Sequence, residues 1–272
     1  MASSDAPIRI ARVALVVRDL ARVGDFYQSV IGLERLSGDG AGMMLGAGGQ
    51  PLLELRRDAM ARPHPREAGL FHTAFLLPGR PALAGWLAHA AGRGTRLEGA
   101  ADHLVSEAIY LRDPEGNGVE VYADRPRSQW RHAGVQVVMD TAALDLPGLL
   151  AAADGTWRGA PAGSGIGHVH LQVGDIALAE DFAMTRLGLA CMARLPGAGF
   201  FASGGYHHHL AANVWNSRGA GRRSADAAGL AEVVLRAEAG AMAALTRTRL
   251  TDPWGTRFVI EPAGQGPVAG YT

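Results

Sequence analysis

Residues 12–34, RVALVVRDLARVGDFYQSVIGLE, and residues 168–190, HVHLQVGDIALAEDFAMTRLGLA, align without a gap. Arg12 falls on His168, Asp19 on Asp175, Phe26 on Phe182, and Gly32-Leu33 on Gly188-Leu189. Each copy reads as a short alternating strand, an Asp suited to cap a helix, the helix itself, and a Gly where the helix ends. A second pair aligns as well: GLFHTAFLLP (69–78) with GLAEVVLRAE (229–238), and RDPEGNGVEVYAD (112–124) with TDPWGTRFVIEPA (251–263). In the latter two, Asp-Pro-x-Gly marks a turn and the following residues alternate as a strand. The chain therefore holds four copies of one unit, at about 10–57, 70–124, 166–215 and 229–262.

Each unit reads as β-α-β-β-β. Two such units can set their sheets side by side and curl into a half-open barrel, with helices outside and a cavity inside. The expected fold class is α+β, with four β-α-β-β-β units forming two half-open mixed-sheet barrels. In chain order, residues 8–125 would carry the first pair of units and 166–264 the second, whose last unit is shortened. The stretch 126–165, rich in Ala, Gly and Pro, reads as a linker with a short helix around 146–153. Cross-pairing of units two and three is the other arrangement open to the chain.

Composition excludes several classes. The formal net charge is zero, and all 26 basic side chains are arginine without a basic cluster, so nothing points to nucleic acid. No apolar run approaches the ~20 residues that span a bilayer, and the N-terminus lacks a charged segment before an apolar core. A cytoplasmic location is expected. The single cysteine, Cys191, can form neither an intramolecular disulfide nor a CxxC site and is expected to be buried in a strand.

The chemistry sits at corresponding positions of the units. The opening strands carry Arg12, His72, His168 and Glu232. The closing strands carry Glu54, Glu120, approximately His208, and Val259. Units two and three thus own the side chains suited to a metal. Two imidazoles and one carboxylate, here His72, His168 and Glu120, bind a divalent ion on one face and leave the other positions open, as in non-heme Fe(II) oxygenases. His170 shares a strand face with His168. In the run Tyr206-His207-His208-His209, taken as part of the closing strand, alternation sends His208 inward. His103 is read as a contact behind the ligands, Tyr110 and Tyr206 as substrate contacts, and Asn213 as a further candidate at the cavity.

These residues resemble the vicinal oxygen chelate superfamily, which includes glyoxalase I, bleomycin-resistance proteins and type I extradiol dioxygenases. The signs are the paired β-α-β-β-β units, the opening strand IGHVHL, and DPEGNGVE before the closing carboxylate. GLFHTAFLLP, DHLVSEAIYLRDPEGNGVEVYADRPR and GGYHHHLAANVW are similar to bacterial two-domain catechol-2,3-dioxygenase-like proteins. The resemblance covers nearly the whole chain. It implies metal ligands at His72, Glu120 and His168, an acid–base role for His208, and one divalent ion, with Fe(II) the first choice and Mn(II), Zn(II) and Ni(II) the alternatives. It also implies a small aromatic substrate, O2 as co-substrate, and a homodimer as an expected assembly. The pairing of units departs from the family's well-known two-domain enzymes, which place the metal between units three and four. A site there would need His168, Glu232 and Glu261; one within units one and two would use Glu54, His72 and Glu120 with Arg12 intruding. The resulting expectation is an extradiol ring-cleaving dioxygenase, with a glyoxalase-type lyase or isomerase, or a non-catalytic binder of small aromatics, as alternatives.

Overall fold

The structure, a computed structural model, describes residues 5–264. Unit one runs β1 (Ile8–Val17), α1 (Leu20–Phe26), β2 (Glu34–Gly38), β3 (Gly42–Ala47) and β4 (Gln50–Arg57). Unit two runs β5 (Gly69–Leu76), α2 (Arg80–Gly92), β6 (Gly99–Asp102), β7 (Ser106–Arg112) and β8 (Gly118–Asp124). A connection follows with β9 (His132–Ala133), β10 (Gln136–Val137), β11 (Ala142–Ala143) and α3 (Leu146–Leu150). Unit three runs β12 (Gly165–Gln172), α4 (Ile176–Asp181), β13 (Ala190–Leu195), β14 (Ala198–Ala202) and β15 (Leu210–Asn213). Unit four has β16 (Gly229–Ala237), α5 (Ala239–Ala244), β17 (Arg249–Thr251) and β18 (Arg257–Pro262), one strand fewer than the others.

The repeated residues do the local work. The side chains of Asp19 and Asp175 accept hydrogen bonds from the backbone N–H of Arg22 and Leu178, which starts α1 and α4. Both helices widen into a π-turn and give way at glycines with left-handed φ, 82° at Gly32 and 69° at Gly188. In each Asp-Pro-x-Gly turn the Asp carboxylate gathers backbone N–H groups. Asp113 takes those of Glu115 and Asn117, and Asp252 those of Trp254 and Thr256. Burial of both turns raises the two carboxyls above their ordinary pKa, against those hydrogen bonds.

The units do not pair in chain order. A seven-stranded sheet, β17-β18-β16-β1-β4-β3-β2, joins units one and four. A nine-stranded sheet, β11-β6-β7-β8-β5-β12-β15-β14-β13, joins units two and three. At the middle of each, opening strands of two units run antiparallel: β1 beside β16, and β5 beside β12. Each opening strand of units one to three is parallel to its own unit's closing strand. Alternation then splits the side chains between two faces. Phe75, Val119, Val121, Val169 and Leu171 enter one continuous apolar core with α1, α2 and both sheets. His72, Glu120, His168 and His170 face the concave side, where they line a cavity.

Two sequence expectations change. The segment 126–165 is more than a linker: β11 adds an edge strand to the nine-stranded sheet by pairing with β6, and the helix spans Leu146–Leu150, not 146–153. Cys191 lies on β13 only half-buried, because its strand is the sheet's edge and leaves one side open. Among the described residues, no helix is long and apolar enough to cross a membrane.

The nine-stranded sheet is packed tightly where unit two turns from β5 to β8. A Cβ added at Gly118 would stand 2.0 Å from the carbonyl oxygen of Phe71. Neither backbone can yield without disturbing the ladder, so Gly118→Ala is expected to destabilise the fold by about 1–3 kcal/mol, as other overpacked sites do. A fall in the urea midpoint at unchanged slope checks it.

Candidate metal centre and cavity

Three adjacent strands, β8-β5-β12, bring His72, Glu120 and His168 together on one face. Glu120 pairs with Ala74 on the parallel neighbour. His168 also faces Ala74, across the antiparallel neighbour, so His72 and His168 are diagonal partners. His72 Nε2 and His168 Nε2 are 3.3 Å apart; Glu120 Oε2 lies 3.0 Å from the first and 3.1 Å from the second. Ligands about 2.0–2.2 Å from one ion and at right angles lie roughly 3 Å apart, so the triangle has the size of one face of a coordination sphere. Among the described residues this is the one His/Glu group compact enough to hold a metal ion.

Electrostatics are those of a dry site. All three side chains are nearly fully buried, His168 2% exposed and Glu120 3%. Burial opposes the charge on Glu120, but attraction to and hydrogen bonding from His168 and His72 outweigh it and hold the carboxyl well below its usual range. For His168, burial dominates over the pull of Glu120 and brings its pKa to about 4, so its ring is neutral at physiological pH and ready to ligate. His168 Nδ1 is buried without a partner, so nothing behind the ring competes for its orientation.

The alternative ligand sets are separated by the sheets. Glu232 and Glu261 belong to the seven-stranded sheet and His168 to the nine-stranded one. By register, Arg12, Glu54 and Glu232 occupy in the first sheet the places that His72, Glu120 and His168 hold in the second. There Arg56 bridges Glu54 at 2.7 Å and Glu232 at 3.3 Å, and Arg12 pairs with Glu261 at 3.1 Å. One half-barrel thus carries ion pairs where the other carries the metal-competent trio.

The trio lies at the floor of a cavity of about 380 Å³, with walls that include Phe71, Phe200, Trp215, Met139 and Leu195. His103 and Tyr110 line it. The Asp140 carbonyl accepts from His103 Nδ1 at 2.9 Å, and His103 Nε2 is hydrogen-bonded to Tyr110 Oη, 2.7 Å away. Burial, and then the neighbouring Glu120, push the Tyr110 phenol well above its ordinary pKa. His170 also lines the cavity, but its Nε2 is taken by the Asn213 amide at 2.9 Å, and Asn213 is oriented in turn by the Trp215 backbone N–H.

Several sequence expectations need correction. The histidine run is not in the closing strand. It lies in a loop between β14 and β15, after a turn at Gly204 and Gly205 with φ of 63° and 66°. Strand alternation therefore does not apply, and by register the closing-strand position of unit three belongs to Ala211. His208 turns into the cavity and its ring sits 4.0 Å from that of His168. Tyr206 is fully buried and bonds to Asp124 and Tyr122, away from the cavity, and Asn213 stands behind His170, not against a ligand. Asp124, Phe71 and the connecting residues Met139, Asp140 and Thr141 also line or support the cavity. No periodicity marks them.

Comparisons with known proteins bear on the family and the fold. Residues 9–121 match the family model described as the Glyoxalase/Bleomycin resistance protein/Dioxygenase superfamily. A catechol-2,3-dioxygenase of Bacillus subtilis (strain 168) is 40% identical over 243 residues, covering 85% of this chain and 83% of that protein. In fold, the chain is similar to a solved protein of Bacillus subtilis subsp. subtilis str. 168 at TM-score 0.62 and 14% identity, covering 95% of this chain and 86% of that one. Glyoxalase I from Zea mays gives TM-score 0.56 at 15% identity, covering 95% and 93%. The repeats, the extended identity and the shared fold together show that this chain belongs to the Glyoxalase/Bleomycin resistance protein/Dioxygenase superfamily.

Proposed function

We propose that the protein is an extradiol ring-cleaving dioxygenase that acts on a catechol-type aromatic, with one divalent metal, Fe(II) by preference, held by His72, Glu120 and His168. The observation that supports this most is the meeting of that trio with a mostly apolar cavity. Its three ligand atoms lie 3.0–3.3 Å from one another and leave the cavity side free for substrate and O2. Mn(II), Zn(II) and Ni(II) fit the same nitrogen and oxygen donors. The bound metal would lower the pKa of the catechol hydroxyls and hold both reactants in one place.

The chain's own residues supply the rest. Phe71, Phe200 and Trp215 give the ring an apolar, aromatic wall. Neutral His208, its pKa held well below the ordinary value first by burial and then by neighbouring histidines, takes the second phenolic proton and later returns it. Tyr110, hydrogen-bonded to His103 and beside Glu120, stands at the polar end of the cavity, where its phenol can orient a substrate hydroxyl. His170 and the His103–Tyr110 pair keep this polar end of the cavity fixed.

Oxygen uptake tests the reading. Metal-loaded protein is expected to consume O2 with a substituted catechol and to form a yellow ring-cleavage product, and treatment with a chelator is expected to abolish both, with recovery on adding Fe(II). Uptake by no member of a panel of substituted catechols would defeat the proposal. Turnover of a hemithioacetal without O2 consumption would put a glyoxalase-type reaction in its place.

A further inference from the structure

His208 Nδ1 does not face the cavity. It lies 2.7 Å from Nδ1 of His207, so one of these two nitrogens carries the hydrogen between them. Which one does is decided one residue further along. His207 Nε2 is 2.9 Å from Oδ1 of Asp124, an acceptor, and therefore carries a hydrogen. With a single N–H on the His207 ring, held at Nε2 by Asp124, Nδ1 is bare and accepts. His208 then donates from Nδ1, and its own Nε2 is left bare as the nitrogen free for the cavity.

The supports of this chain are rigid. Asp124 also accepts from Tyr206 Oη–H at 2.9 Å, and Tyr206 accepts from Tyr122 at 2.8 Å. The His207 ring is wholly buried, with Tyr206 at 4.1 Å, Trp130 at 5.3 Å and Tyr122 at 6.1 Å between ring centres. Asp124 closes β8 of unit two, and the two histidines belong to the loop of unit three. The arrangement therefore exists only because these two units share a barrel.

We propose that Asp124 and His207 are positioning residues that lock His208 in the tautomer with hydrogen on Nδ1 and a bare Nε2, the form that can accept a proton from substrate in the cavity. The proposal rests on the acid–base reading of His208 given above. The proton taken from a phenol lodges on His208 Nε2. The Nδ1 hydrogen stays in its bond to His207, and the proton leaves again by Nε2 to product. Asp124 does not touch substrate; it acts by removing the wrong tautomer.

The test has two arms. In the first, long-range 1H–15N correlation on the full chain loaded with Zn(II), which is diamagnetic, reads the tautomer of each histidine; His207→Gln and His208→Gln assign the two signals. The expected spectrum has hydrogen on Nδ1 of His208 and on Nε2 of His207. Hydrogen on Nε2 of His208, as an imidazolium at His207 would impose, overturns the proposal with no need of a folded Asp124 variant. In the second arm, Asp124→Asn, whose amide can turn either face to His207, is expected to shift His208 toward the other tautomer. It should lower kcat roughly 10- to 100-fold at unchanged KM and metal content, as lost orienting partners do elsewhere. Asp124→Glu is expected to restore most of kcat. A kcat that is unchanged although the tautomer has shifted would overturn the proposal. Absence of oxygen uptake by the metal-loaded wild-type protein would defeat the dioxygenase reading, while the spectrum alone would still decide for or against the tautomer lock.

Discussion

Glu120→Ala is expected to lower oxygen uptake by about a thousandfold or more and to leave the purified protein without its metal. The reason is the triangle at the cavity floor. Glu120 Oε2 is within 3.1 Å of both imidazoles and is the one anionic donor among the three. Removing it leaves two neutral nitrogens on a divalent ion, with no charge to offset desolvation. A metal contributes several kcal/mol to the transition state, and each 1.36 kcal/mol is a factor of ten in rate. Metal analysis on the purified variant and an oxygen electrode read the two effects separately. Glu261→Gln makes the matched control. It breaks the ion pair with Arg12 in the other sheet and should leave metal content at the wild-type level. Loss of metal from Glu261→Gln with retention in Glu120→Ala would refute the assignment.

The metal-free protein is expected to lose stability steeply as pH falls from about 6.5 toward 4. Burial holds His168 at a pKa of about 4 and keeps His170, His208 and His209 well below their ordinary value in the same direction. A histidine whose folded pKa is depressed costs the fold nothing while it is neutral in both states. As pH drops through the unfolded value near 6.5, the unfolded chain binds protons that the folded one refuses, and the cost levels off only below the folded pKa. For His168 alone, 2.5 pH units correspond to about 3 kcal/mol. His170, His208 and His209 add to this in the same direction, against a whole domain's stability of about 5–15 kcal/mol. Glu120, with its lowered pKa, adds a loss of the same sign at lower pH, and the raised carboxyls Asp113 and Asp252 oppose it weakly. Bound metal should blunt the fall, since it stabilises the folded state by mass action. Melting temperatures across this range, with chelator and with added metal, are the measurement. A flat profile for the chelated protein would mean that water reaches the histidines.

The boundary between what could be read and what could not runs through particular residues. Asp19 and Asp175 cap their helices, and Gly32 and Gly188 end them, because capping and left-handed turns depend on side chains within a few residues. His72, Glu120 and His168 were legible because the repeat puts them at corresponding strand positions, and a strand's period fixes which face a residue takes. His208 was placed by that same rule, yet the rule does not hold there. Gly204 and Gly205 turn the chain out of the sheet, and the ring reaches the cavity by loop geometry instead.

By itself the sequence determined four units, their strands and helices, and the side chains able to bind a metal, since each follows from backbone periods and local hydrogen bonds. Only the tertiary structure decided that unit two pairs with three and unit one with four. Only there do β5 and β12 lie side by side, bringing His72 and His168 to 3.3 Å, while the same positions in the other sheet close as ion pairs between Arg56, Glu54 and Glu232. It also decided that Asp124 of one unit meets His207 of another. Which sheet edges join is a property of complementary surfaces far apart in the chain, and nothing in the local pattern of either edge encodes its partner.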